Sequence, residues 1–61
     1  MHYILKASPK AFVIVQPNNE LIITSDYTKA TQYNTIGDAM RATSKVNEVL
    51  GVHAFKAESI G

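Results

Sequence analysis

Apolar residues alternate with polar or small ones in the first part of the chain and recur at steps of three and four further on. This pattern predicts strands followed by a helix. His2 to Ala7 puts Tyr3, Leu5 and Ala7 on one face of a strand and Ile4 on the other. A turn is expected at Ser8-Pro9-Lys10, where proline fixes its own φ and offers the ladder no donor. Ala11 to Gln16 is almost wholly β-branched, aromatic or apolar and reads as the strongest strand. Pro17-Asn18-Asn19 makes the next turn, since asparagine tolerates positive φ, and Glu20 to Thr24 follows as a third strand.

Residues 25–34 are less regular. Ser25-Asp26 is turn chemistry, Tyr27 to Ala30 fits one helical turn, and Thr31 to Tyr33 returns to an extended form with Tyr33 against the core. A helix then starts at Thr35-Ile36-Gly37-Asp38, a capping box in which the threonine hydroxyl satisfies the N3 amide and the carboxylate reaches back. Ile36, Ala39, Met40, Thr43, Val46, Val49 and Leu50 form its apolar stripe, with Asp38, Arg41, Lys45 and Glu48 opposite. Gly51 is placed to stop the helix in the left-handed conformation. Val52 to Ser59 reads as a less apolar fourth strand at an edge, with Ile60 packing at its end. The expected fold is α+β, in the order β-β-β-α-β: a three-stranded antiparallel meander, one amphipathic helix packed on it, and a C-terminal edge strand. Residues 1–61 form a single domain.

Length sharpens this picture. A chain of 61 residues buries only about 60% of the surface its unfolded form exposes, so small domains usually add a staple. With no cysteine, disulfides and thiolate zinc sites are excluded, and His2 and His53 lie at opposite ends of the chain. No structural metal is expected, which leaves local packing or association with another chain. Hydrophobic content of 46% and charged content of 18% are those of a folded domain. The net charge of +1 counts against an obligate nucleic-acid binder, because phosphate neutralisation supplies most of the affinity in that class. No basic n-region with a following h-region and no long apolar run is present, which argues against a signal peptide and a membrane span. A cytoplasmic protein is expected, and the chain with its own Met1 reads as a complete small reading frame.

The meander carries more apolar surface than one helix covers. Ala11, Val13 and Val15 alternate with Phe12 and Ile14, Leu21 and Ile23 with Ile22, and Leu5 with Ile4. A half-exposed antiparallel sheet normally has a polar outer face, and a helix of roughly fourteen residues, about 21 Å long, shields only one. Either residues 25–34 fold over part of the second face or a few exposed apolar residues are simply tolerated, or that face or a sheet edge docks an identical subunit or a foreign protein. Ile4, Phe12, Ile14 and Ile22 are the candidate partner-binding residues, and a homodimer is one expected outcome.

Catalysis is not expected. Glu20 starts a strand, Asp26 sits in a turn, Asp38 caps the helix, and Glu48 lies on its solvated face, so spacing pairs no carboxylates as acid and base. His53 reads as a side chain of the last strand, and Gly37, Gly51 and Gly61 are isolated, so no phosphate-cradling loop exists and no cofactor is expected.

Three strands and a helix resemble the plan of AP2-type DNA-binding domains, and Tyr33-Asn34-Thr35 followed by Ala39 and Ala42 is similar to their helix start. The resemblance implies DNA contacts from the sheet, with Lys6 and Lys10 as the candidates. The meander has no Arg or Trp at the reading positions of that family. The run from Asp26 through Tyr33-Asn34-Thr35 to Ala39, with Gly51-Val52 entering a final strand, resembles small phage- and prophage-encoded single-domain proteins of unassigned function. That resemblance implies the cytoplasm of a bacterial host and a protein that binds and redirects a host or defence protein. The leading expectation is therefore a small non-catalytic protein-binding module, a modulator or inhibitor of a bacterial protein. Sheet-mediated DNA binding is the alternative.

Overall fold

A computed structural model describes residues 2–60. It contains β1 (His2–Ser8), β2 (Ala11–Val15), β3 (Leu21–Thr24), a 3₁₀ turn (Tyr27–Lys29), α1 (Ile36–Leu50) and β4 (Lys56–Ile60). The four strands make one antiparallel sheet in the order β3-β2-β1-β4. The meander, the helix and the C-terminal edge strand are therefore all present. No helix among the described residues is long and apolar enough to cross a membrane.

Turn chemistry sets the β2–β3 hairpin. Asn19 takes φ +66°, which asparagine tolerates better than most residues. The Gln16 amide donates to Glu20 O at 2.9 Å, and the Asn19 amide donates to Gln16 O at 2.8 Å. The resulting register pairs Val15 with Leu21, Ile14 with Ile22, Val13 with Ile23 and Phe12 with Thr24.

β1 and β2 pair over a much shorter length. Only Lys6 with Phe12 and Ser8 with Ala11 are in register, with an irregularity between Lys6 and Ser8. The strands then diverge, and residues 31–33 fill the fork. Tyr3 and Tyr33 exchange two backbone hydrogen bonds, each 2.8 Å, while the Thr31 amide donates to Val13 O at 3.2 Å. The Val15 amide donates to the Thr31 hydroxyl oxygen at 2.7 Å. The irregular segment thus acts as a short insert in the sheet.

Both faces of the sheet carry a core. On the helix side Leu5, Val13, Ala39, Val46 and Phe55 are buried, with Tyr3, Ala7, Val15, Leu21, Tyr33, Ala42 and Ala57 packed around them. On the opposite side Ile4, Phe12 and Ala30 form a smaller buried cluster with Ile60 beside it. The ring of Tyr27 lies 6.3 Å from that of Phe12. Of the two ways of covering the second face considered from the sequence, residues 25–34 therefore provide one for its Ile4–Phe12 part.

The helix begins as expected, with the Asp38 amide donating to the Thr35 hydroxyl at 3.1 Å. The Asp38 carboxylate, however, engages the Arg41 guanidinium one turn on. At the other end Gly51 is left-handed at φ +68°. Its amide donates to Glu48 O and that of Val52 to Asn47 O, the paired closure of a Schellman motif. The apolar stripe is wider than its contact with the sheet. Ala39 and Val46 are buried, while Ile36, Met40, Val49 and Leu50 are exposed.

The last strand is shorter than the alternation suggests, starting at Lys56 and not at Val52. Asn47 is the cause. Its carboxamide holds the Phe55 backbone from the helix side and turns the buried Phe55 ring into the core. Residues 52–55 thus form a tether ahead of the strand. His53 lies in that tether, exposed, and not within a strand.

Candidate functional site

The four apolar candidates separate into two groups. Ile4 and Phe12 are 1% and 6% exposed, sealed within the chain. They contribute to stability and offer no surface in this conformation. Ile14 is half-buried, and Ile22, its partner across β2–β3, is 41% exposed. Both lie toward the β3 edge, beyond the cluster that Ala30 completes.

The helix side carries more apolar surface at the same end of the sheet. α1 packs chiefly over β1 and β4, which leaves β3 with little cover. Ile23 is 51% exposed there, and Val49 on the facing flank of the helix is 62% exposed. Between helix and sheet runs a cleft of about 70 Å³ lined by Val15, Leu21, Tyr33, Ala42, Val46 and Val49, with Asn19 and Lys45 supplying polar groups. Ligand pockets usually measure about 300–1,000 Å³, so the cleft suits a single inserted side chain better than a cofactor. Burial pushes the Tyr33 phenol above its ordinary pKa. Ile23 and Val49 were not singled out from sequence. The signal for Val49 was the width of the stripe, which spans more of the helix circumference than one sheet contact buries.

The lysines are differently placed. The Lys6 ammonium pairs with the Glu58 carboxylate at 3.2 Å, a contact that follows from the β1–β4 register of Ile4 with Glu58 and Lys6 with Lys56. Lys10 lies in the exposed β1–β2 turn, its amide donating to the Ser8 hydroxyl at 3.4 Å.

Charge chemistry elsewhere is local. The Thr28 hydroxyl and then the Thr28 amide donate to Asp26, and with a smaller contribution from Lys29 they hold that carboxyl below its ordinary pKa. This is cap chemistry for the 3₁₀ turn. Among the described residues no three His, Asp or Glu side chains gather as metal ligands. Comparison with family models, with curated proteins and with solved structures finds no match to this chain.

Proposed function

We propose that this chain is a small non-catalytic protein-binding module, a modulator or inhibitor of a bacterial host or defence protein of the kind encoded by phages and prophages. One observation carries the proposal: Ile22, Ile23 and Val49 leave apolar surface open around a single sheet edge, in a chain with no cysteine to staple it. Exposed apolar residues scattered singly are ordinary. Here they share one end of the molecule with an apolar cleft, the arrangement expected of a docking surface. Ile4 and Phe12 are buried in the cluster that Ala30 completes, and of the four apolar candidates Ile14 and Ile22 belong to the open surface. The resemblance of residues 26–39 and 51–52 to small phage proteins supports a bacterial target.

DNA binding through the sheet draws less support. Lys6 is paired with Glu58, and Ala30 occupies part of the face opposite the helix.

The test compares wild type with Val49→Asp, which alters an exposed position and leaves the buried core intact. Both are used for capture from bacterial lysate, and the captured protein is then purified and titrated with each. A saturable complex that the substitution weakens tenfold or more, with a change in the target's activity, supports the proposal. Equal capture by both variants, or no saturable complex, overturns it.

A further inference from the structure

The β3 edge combines outward backbone groups that are two-fold self-complementary with side chains that carry no charge. The Gln16 amide bonds Glu20 O, and hydrogen-bonded pairs alternate along an antiparallel ladder. Ile14–Ile22 and Phe12–Thr24 are therefore the hydrogen-bonded pairs of this register. It follows that the N–H and C=O groups of Leu21 and Ile23 point away from β2. β3 is the last strand on its side of the sheet, so nothing in the sheet receives them. Open edges of this kind template strand pairing and are usually blunted by charge, proline or a bulge. β4, the other edge, carries Lys56 and Glu58. β3 is Leu-Ile-Ile-Thr, with no charge and no proline.

We infer that β3 pairs antiparallel with β3 of a second copy of this chain, joining two four-stranded sheets into one of eight strands. This rests on the protein-binding reading and names one partner for its surface. The register is centred on Ile22. Leu21 of one copy exchanges backbone hydrogen bonds with Ile23 of the other, and the reverse, so every outward group of the two residues is used. On the helix side each exposed Ile23 then lies beside the other copy's Leu21. On the opposite face the two Ile22 side chains meet at the axis. A second copy fits better than an unrelated strand because the sequence pairs with itself, apolar residue against apolar residue, in the register the hydrogen bonds require.

The position of Ile22 on the axis gives the test. Sedimentation from about 1 µM to 1 mM is expected to show wild type rising from the 6.7 kDa of one chain toward twice that mass. Ile22→Lys and Ile22→Glu, each placing like charges face to face, are expected to stay monomeric with wild-type circular dichroism. Mixed in equal amounts they are expected to recover the dimer, at least tenfold tighter than either alone. A monomeric wild type across the range overturns the inference, as does a dimer that both substitutions leave intact or a mixture that stays monomeric. A failed dimer alongside saturable capture of a bacterial protein defeats only this inference. A dimer without such capture overturns the proposed host-protein modulator and leaves the self-pairing of β3 standing.

Discussion

Asn47 and Phe55 are joined by a reciprocal pair of hydrogen bonds: the carboxamide nitrogen donates to Phe55 O at 3.1 Å, and the Phe55 amide donates to Oδ1 at 3.1 Å. One side chain satisfies both polar groups of a residue whose ring is buried in the core. Removing it orphans a donor and an acceptor together. Asn47→Ala is expected to cost about 1–3 kcal/mol, read as a lower urea midpoint. Glu48→Ala, on the exposed face, is expected to change stability by less than about 0.5 kcal/mol.

Thr31 plays a comparable part in the fork between β1 and β2, where its hydroxyl oxygen receives the Val15 amide. Thr31→Val keeps the shape and removes the acceptor, with an expected loss of about 1–3 kcal/mol. Thr31→Ser retains it. Hydrogen exchange at the Val15 amide is expected to accelerate in the valine variant and to stay slow in the serine one.

Two glycines respond oppositely to alanine. An added Cβ meets no heavy atom within 4 Å at either Gly37 or Gly51, so backbone conformation decides. Gly51 is left-handed at φ +68°, and Gly51→Ala is expected to destabilise by about 1–2 kcal/mol. Gly37 is the second residue of the helix, where the interior penalty applies only in part, and Gly37→Ala is expected to stabilise by up to about 0.5 kcal/mol. Thermal midpoints of the two variants should fall on either side of wild type.

Acid sensitivity follows from Asp26. Its folded carboxyl titrates below the ordinary 3.8, chiefly through the hydrogen bond from the Thr28 hydroxyl. A depressed folded pKa gives stability that is complete above the unfolded value and lost as pH falls through the folded one. Wild-type stability should therefore decline with this group as pH drops below about 4. Asp26→Asn should flatten that part of the profile, as measured by urea midpoints from pH 2 to 7.

Elements fixed by local chemistry were legible in the sequence. Thr35 and Gly51 mark the helix ends because a capping hydroxyl and a left-handed glycine act within a few residues. Pro17-Asn18-Asn19 sets a hairpin whose residue with positive φ is Asn19. Features that depend on distant backbone were not legible. Nothing near Val52 reveals that Asn47 holds the Phe55 backbone and delays the last strand to Lys56. Alternation in β2 gives Phe12 an apolar face but not the lid that Ala30 and the Tyr27 ring provide. At the candidate site Ile22 was visible as an apolar residue on the second face. Ile23 and Val49 were hidden because an apolar pattern implies burial, and the offset of α1 toward β1 and β4 denies it to them.

The insertion of residues 31–33 between β1 and β2 governs how this chain can assemble. The β2–β3 hairpin closes over a few residues, but the first half of β1 has no partner until Tyr33 arrives on one side and β4 on the other. Joining them closes loops of about thirty and more than fifty residues, an entropic cost that must be met before those contacts stabilise anything. The first half of β1 therefore completes its pairing only through contacts distant in sequence. A ribosome-bound chain therefore holds an incomplete sheet until β4 has been synthesised.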